Sequence, residues 1–138
     1  MKLFLDASVT LAAAGQKTGA SRAIFDAAPR LGWELQASNY VPREIEANLH
    51  RFPRVAAQEW PALAARLTIV RDLTCFEYPA VFSPAKDRPV LFTAAGWADV
   101  LLTFDRQHFG RFFDSGFYSL RVSPPGGFLA TERKAGRL

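Results

Sequence analysis

Five short runs of branched and aromatic residues alternate along this chain with segments in which apolar residues recur at helical spacing. The runs have the length of β-strands and occupy residues 3–5, 35–41, 67–70, 100–103 and 118–122. Strands that alternate with helices are typical of a parallel sheet covered by helices on both faces. The pattern therefore predicts an α/β protein, a three-layer α/β/α sandwich around a five-stranded parallel sheet.

The segments between the runs predict the helices. Apolar residues repeat at intervals of three and four within each segment, while glycine and proline mark the breaks. The predicted helices are a short one and a longer one within residues 8–31, divided near Gly15 and Gly19, and others from Pro42 to residue 52, over 54–66 with a kink or restart at Pro61, over 87–97 and over 107–113.

The length of 138 residues fits one domain, which we expect to span residues 1–130, with a solvated tail over residues 131–138. Cys75 is the single cysteine, so no disulfide can form within the chain, and we expect it in the core.

The amino terminus resembles a signal peptide, but Asp6 interrupts its apolar run. No run approaches the roughly 20 apolar residues of a membrane span. We therefore expect a cytoplasmic protein with no membrane partner.

The chain carries a formal net charge of +4, and most of its 17 basic residues are arginine. Guanidinium groups bind phosphate in a bidentate way and stay charged at every physiological pH. Arg43, Arg88 and Arg106 each adjoin an acidic residue. This placement favours a polyanionic partner whose phosphates these three arginines hold near a cluster of acids.

Four acidic residues are predicted to meet at one edge of the sheet. Asp6 directly follows the first strand run and Asp105 closely follows the fourth, while Glu44 and Asp87 lie in the first turns of predicted helices. In an open parallel sheet, sites form at the carboxyl ends of the strands. Asp99 precedes the fourth run and is expected at the opposite edge.

Several of the candidate site residues also have a purely structural interpretation. Asp87 could simply cap the helix over 87–97. Ser8 and Thr103 could orient a ligand, or could be a helix cap and a buried strand hydroxyl. His108 could contact RNA, although a partly buried histidine more often packs. Aromatic side chains near Asp105 could stack on unpaired bases, but packing in the core is the favoured interpretation for Phe104, Phe109 and Phe112.

Carboxylates that converge on one place repel each other, so they favour a bound cation. Mg²⁺ prefers oxygen ligands, and Mn²⁺ accepts them with looser geometric demands. Such an ion activates water and offsets the charge that develops on a phosphoryl group. An acidic cluster edged with arginine therefore indicates hydrolysis of phosphodiesters, with one or two Mg²⁺ or Mn²⁺ ions.

The motifs LFLDAS, SNYVPREIEANL, KDRPVLFTAA and ADVLLTFDRQHF, in this order, resemble the PIN-domain family, which includes the toxin nucleases of VapBC toxin–antitoxin pairs. The resemblance spans nearly the whole chain. It implies a metal site built from Asp6, Glu44, Asp87 and Asp105, with Asp105 in the T-x-D segment. The register from Ser38 to Leu49 favours Glu44 over Glu46.

The resemblance further implies an endoribonuclease that uses Mg²⁺ or Mn²⁺, forms a homodimer and, as a toxin, is neutralised by a cognate antitoxin. It implies products with a 5′-phosphate and a 3′-hydroxyl. One alternative is a PIN-fold module that binds RNA or protein with little cleavage. A second is a small-molecule phosphohydrolase of the haloacid-dehalogenase type, whose second aspartate two residues after the first is here replaced by Ser8.

Overall fold

A five-stranded sheet lies at the centre of the computed structural model, which describes residues 1–78, 80, 82 and 85–138. Every neighbouring pair of strands is parallel, and their order across the sheet is β3-β2-β1-β4-β5. This arrangement confirms the predicted α/β fold with a five-stranded parallel sheet. The strands are β1 (Lys2–Leu5), β2 (Glu34–Ser38), β3 (Thr68–Val70), β4 (Val100–Leu102) and β5 (Arg121–Ser123).

Helices cover both faces of this sheet. The first four helices and the last pack with one apolar cluster, and the fifth to seventh pack with the other. The helices are α1 (Ala7–Gly15), α2 (Ala20–Leu31), α3 (Tyr40–Asn48), α4 (Arg54–Ala64), α5 (Arg88–Trp97), α6 (Arg106–Phe109), α7 (Phe112–Ser115) and α8 (Pro125–Lys134), with short 3₁₀ turns at Leu49–Arg51 and Ala85–Asp87.

The alternation of side chains along β1 and β4 divides the core between these two layers. Leu3 and Leu5 belong to the cluster with α1 to α4, whereas Phe4 between them belongs to the cluster with α5. The same alternation separates Leu101 from its two neighbours in β4. Since successive side chains of a strand point to opposite faces, both faces must be apolar for the sheet to be buried. The predicted three-layer sandwich is confirmed.

The second strand is shorter than its apolar run predicted. β2 ends at Ser38, and α3 begins at Tyr40 rather than at Pro42. Pro42 is then the third residue of α3, where its missing N–H would have had no acceptor within the helix. Glu44 consequently lies two residues further into its helix than we expected, at the start of the second turn.

Three other elements differ from the predicted bounds. α4 continues through Pro61 without a restart, and the predicted helix over 107–113 is replaced by α6 and α7. The last strand begins at Arg121, because a tight turn bridges Phe117 to Leu120 and places Tyr118 at φ 53°.

The expected solvated tail is ordered at its start. Residues 131–134 continue α8, whose Phe128 packs edge-on against Trp33 at 5.1 Å and whose Glu132 is fully buried. No helix was predicted after the last strand, although proline, here Pro125, is favoured in the first turn of a helix. The expectation of a buried Cys75 was also wrong, since this thiol is exposed.

Within the described part of the chain, no helix combines the length and the apolar character needed to cross a bilayer.

Candidate functional site

Asp6 is the most firmly held acid of the carboxyl edge. It caps α1, and its carboxylate accepts hydrogen bonds from the Ala7 backbone N–H at 2.8 Å, the Ser8 hydroxyl at 3.0 Å and the Thr103 hydroxyl at 2.8 Å. Its own N–H donates to the Leu102 carbonyl at 3.1 Å. Asp6 thereby joins the carboxyl ends of β1 and β4.

The pKa of Asp6 lies above its ordinary value. Burial is the main cause, because it disfavours the charged form, and the nearby charge of Asp105 acts in the same direction. The hydrogen bonds from Thr103, Ser8 and Ala7 oppose this rise without cancelling it. A buried carboxylate beside a second one favours a cation as its neighbour.

Glu44 faces the same cleft from α3. Burial raises the pKa of Glu44, the charges of Asp6 and Asp87 raise it further, and Lys86 acts in the opposite direction. The side chain lines the cleft, whereas Glu46 is exposed. The structure therefore places Glu44, rather than Glu46, beside the other acids.

Asp87 and Asp105 lie together with His108. Asp105 caps α6, with its Oδ1 accepting the His108 backbone N–H at 3.0 Å. The ring Nδ1 of His108 is 2.8 Å from Asp105 Oδ2 and 3.0 Å from Asp87 Oδ2. Burial acts to raise the pKa of Asp105, but the bonds from the backbone and ring of His108 outweigh it, so this pKa is lowered.

Asp87 does not use its carboxylate to cap the helix that follows it. It occupies the N-cap position of α5, yet its side chain makes no capping hydrogen bond. Its Oδ2 atom is buried and finds no hydrogen-bonding partner of good geometry among the residues that the structure describes. Buried carboxylate oxygens are normally bonded, and a bound cation would satisfy this one.

Asp6, Glu44, Asp87 and Asp105 line one cleft of about 670 Å³. The cleft lies where β1, β2 and β4 end, between the starts of α1, α5 and α6. The cleft is acidic. The charge of Glu44 is the main reason that the pKa of Tyr40 is raised. The residues that line it are Asp6, Ala7, Ser8, Ser38, Tyr40, Glu44, Asp72, Thr74, Lys86, Asp87, Pro89, Val90, Asp105 and Phe109.

Asp72 is an acid of this cleft that our sequence reasoning missed. It lies two residues beyond β3, at the same edge of the sheet as Asp6 and Asp105. The rule that selected those two acids, proximity to the carboxyl end of a strand, also selects Asp72. The signal was therefore present in the sequence.

Asp99 lies at the opposite edge, as predicted. It precedes β4, and its Oδ2 accepts the N–H of Lys2, at the start of β1, at 2.7 Å. Asp6 follows the opposite end of β1. Asp99 is therefore outside the acidic cluster.

The three arginines expected near the acids do not line the cleft, although each is next in sequence to one of its acids. Arg43 is exposed on α3, Arg88 donates from its Nε to the Phe82 carbonyl at 2.8 Å, and the Arg106 guanidinium lies 5.7 Å from the centre of the Phe113 ring. Within the described residues, the basic side chain that lines the cleft itself is Lys86.

The aromatic residues near Asp105 separate into two groups. Phe109 and Phe112 are buried in the core, as the favoured interpretation predicted, whereas Phe104 is 46% exposed. Tyr40, which lines the cleft, is 56% exposed. Phe104 and Tyr40 are thus the aromatic side chains in this region that are open to a ligand.

The donor set fits a divalent cation. Ligand atoms of Asp87, Asp105 and His108 all lie within 4.8 Å of one another. Carboxylate oxygens suit Mg²⁺ and Mn²⁺, and an imidazole nitrogen suits the transition metal better. Asp87 Oδ2, which lies 3.0 Å from His108 Nδ1 without a hydrogen bond of good geometry, has the charge of a metal ligand.

No family model matches the sequence, and no curated protein matches it. A solved structure does match: a chain in the crystal structure of VapBC2 from Rickettsia felis bound to a DNA fragment from their promoter. The match has a TM-score of 0.63 at 14% sequence identity and covers 90% of this chain and 98% of that chain. Together with the strand order, this likeness establishes a PIN-like fold.

Proposed function

We propose that this chain is a metal-dependent endoribonuclease of the PIN type and the toxin of a type II toxin–antitoxin pair. The convergence of Asp6, Glu44, Asp87 and Asp105 on one cleft, at the carboxyl edge of a PIN-like sheet, carries the proposal. A cluster of this charge in a cleft of about 670 Å³ suits a cation and a phosphate together.

The four carboxylates are the groups that would hold Mg²⁺ or Mn²⁺. Asp6 and Glu44 have raised pKa values because burial and neighbouring acids oppose their charge, and Asp87 Oδ2 lacks a donor among the described residues. Positive charge at this place would relieve all three. When bound, the ion supplies the Lewis acidity that activates a water and offsets the charge on the phosphate under attack.

Ser8 and Thr103 act as positioning residues. Both donate to Asp6 Oδ2, at 3.0 and 2.8 Å, and so fix the direction of that carboxylate. Thr103 also accepts the Asp105 backbone N–H at 3.0 Å. A site whose ligands are held by such bonds loses less entropy when it closes on a cation.

RNA is the substrate that the surroundings of the acids favour. Lys86, which lines the cleft, and Arg43, Arg88 and Arg106, each next in sequence to one of its acids, would attract the phosphates. The exposed rings of Tyr40 and Phe104 offer surfaces for unpaired bases, which favours single-stranded RNA. The products would carry a 5′-phosphate and a 3′-hydroxyl.

Three substrates separate this proposal from its alternatives. Purified protein with Mn²⁺ is incubated with a single-stranded RNA, with DNA of the same sequence and with p-nitrophenyl phosphate, each with and without EDTA. We expect cleavage of the RNA alone, lost in EDTA and in Asp6→Asn and kept in Asp99→Asn, whose carboxylate lies at the opposite edge. RNA binding without cleavage would favour a binding module, and hydrolysis of p-nitrophenyl phosphate alone would favour a phosphohydrolase.

A cognate antitoxin and a second copy of the chain are the proposed protein partners. The similar structure is that of a VapBC2 assembly, which supports an antitoxin partner here. We expect a small open reading frame beside the gene, whose product co-purifies with this chain and relieves the growth arrest that it causes alone. Light scattering should give twice the chain mass of 15.3 kDa. Growth unaffected by the chain would contradict the toxin role.

A further inference from the structure

We propose that His108 is a nitrogen ligand of the cation, so that the site is a mixed one, with an imidazole beside the carboxylates of Asp87 and Asp105. This inference rests on the proposed function only insofar as the cleft holds a divalent ion. It does not depend on whether the chain cleaves RNA.

The first step is the placement of the ring by α6. Asp105 caps this helix by accepting the His108 backbone N–H with its Oδ1, at 3.0 Å. Residues three apart lie on the same face of a helix, so this cap directs the imidazole back toward the carboxylate. Asp105 Oδ2 then faces Nδ1 at 2.8 Å.

The second step concerns the distances between the three ligand atoms. Nδ1 lies 2.8 Å from Asp105 Oδ2 and 3.0 Å from Asp87 Oδ2. Neighbouring ligands of an octahedral ion with bonds of about 2.0–2.1 Å lie about 3 Å apart. Both carboxylate oxygens therefore lie from Nδ1 at the spacing of neighbouring ligands on one ion, and ligand atoms of the three residues all lie within 4.8 Å of one another.

The third step is a count of protons. Nδ1 carries at most one proton, which can serve one of its two carboxylate neighbours. The bond to Asp105 has good geometry, and Asp87 Oδ2 is left without a donor in the described residues. A hydrogen bond alone therefore satisfies two of the three atoms, whereas a shared cation satisfies all of them.

A nitrogen ligand changes which metal the site prefers. Imidazole binds first-row transition ions well, while Mg²⁺ favours oxygen and water. We therefore expect Mn²⁺ to bind more tightly than Mg²⁺ to this chain. An all-carboxylate site would distinguish these two ions much less.

The sequence contains a matched control, because it has two histidines and the other, His50, is exposed in the 3₁₀ turn at Leu49–Arg51. His108→Asn places an amide N–H near the position of Nδ1, so it keeps a hydrogen-bond donor for the carboxylates. The amide nitrogen has no lone pair to give to a metal. Because the amide oxygen can still bind Mn²⁺, it is the loss of a nitrogen signal in this variant that separates a nitrogen ligand from a side chain that only orients its neighbours.

Electron spin-echo spectroscopy of bound Mn²⁺ detects a directly coordinated nitrogen. We expect nitrogen modulation in the wild type and in His50→Gln, a changed pattern in protein labelled with ¹⁵N-histidine, and loss of the signal in His108→Asn. The affinity for Mn²⁺, from isothermal titration, should fall by at least about tenfold in His108→Asn.

The wild-type spectra decide the question even if His108→Asn does not fold. Mn²⁺ that binds without nitrogen modulation, or with a modulation unchanged by labelling or by His108→Asn, would overturn the nitrogen ligand and leave the carboxylate site standing. Absence of Mn²⁺ binding to the wild type would overturn both the nitrogen ligand and the metal-dependent function.

Discussion

The Thr103 hydroxyl donates a hydrogen bond of 2.8 Å to Asp6, a residue 97 positions earlier in the chain. The same hydroxyl accepts the Asp105 backbone N–H at 3.0 Å, and its side chain is fully buried. One oxygen atom thus connects two acids that follow neighbouring strands. The position of Asp6 relative to Asp105 depends on this contact.

Replacing Thr103 by valine tests the contact. Thr103→Val removes the donor and keeps the shape, so we expect a loss of about 1–3 kcal/mol in the free energy of unfolding, because a buried carboxylate loses a partner. The pKa of Asp6 should rise further, since the burial that raises it is less opposed. Urea unfolding measures the loss. Thr103→Ser, which keeps the hydroxyl, should unfold nearly as the wild type does, and equal losses in the two variants would contradict a role for the hydrogen bond.

Glu44 should destabilise the metal-free protein. Its pKa is raised by burial and by the charges of Asp6 and Asp87, so its ionised form is disfavoured in the fold. Glu44→Gln should raise the free energy of unfolding without metal by up to about 1 kcal/mol, because solvent screens these charges in part. It should also weaken Mn²⁺ binding.

The control for this change is Glu46→Gln, which alters an exposed side chain on the same helix. It should leave both stability and Mn²⁺ affinity unchanged. A gain in stability for Glu46→Gln equal to that for Glu44→Gln would show that the overall charge, and not the cluster, is responsible.

The predictions from sequence that the structure confirms best needed only the local pattern of apolar residues and the rule that parallel strands share one carboxyl edge. Asp6 and Asp105 follow short buried strands, and parallel strands bring their carboxyl ends to one edge, so the two acids had to meet. Asp99 was excluded by the same rule. These inferences required no knowledge of how side chains pack.

What sequence reasoning missed depends on contacts between distant elements. The role of His108 is defined by Asp87, which reaches it from a different helix at 3.0 Å. α8, which was not predicted, packs against the rest of the protein through the contact of Phe128 with Trp33. Asp72 differs from these residues, because the rule that sites form at the carboxyl ends of parallel strands predicts it, but the rule was not applied to the third strand.

Glu132 connects the end of the chain to the sheet, which gives a prediction about pH. Its buried carboxylate accepts two bonds from Arg137, at 2.7 and 3.0 Å, and lies 3.5 Å from Arg121. The bonds from Arg137 are the main reason that its pKa is lowered. We expect Glu132→Gln to lower the free energy of unfolding at pH 7 by about 1–3 kcal/mol.

The pH dependence of that loss follows from the direction of the shift. A carboxylate with a lowered pKa stabilises the fold above its unfolded-state pKa, about 4.3 for glutamate, and loses this effect as the pH falls through the folded-state value. The difference between the wild type and Glu132→Gln should therefore shrink below about pH 4. Thermal unfolding across this range measures it, and a difference that grows on acidification would contradict the ion pair.

Lys86 should contribute to RNA affinity through charge alone. It is the basic side chain that lines the cleft within the described residues. The test uses an Asp6→Asn background, so that RNA binding is measured without cleavage. In this background Lys86→Gln should weaken the binding of single-stranded RNA. It should also reduce the slope of the logarithm of the association constant against the logarithm of the salt concentration by about 0.7. Fluorescence anisotropy gives both quantities. Arg30→Gln, an exposed site at the far end of α2, should change neither, and an unchanged slope in Lys86→Gln would place the RNA elsewhere.

The most direct test of a metal-dependent nuclease is the rate at which purified protein cleaves a single-stranded RNA at saturating Mn²⁺, measured for the wild type, Asp105→Asn and Asp99→Asn. We predict that Asp99→Asn matches the wild type and that Asp105→Asn is slower by at least about 100-fold, since it loses a charged ligand worth several kcal/mol. Wild-type rates in Asp105→Asn, or cleavage that persists in EDTA, would contradict the assignment of these carboxylates to the reaction.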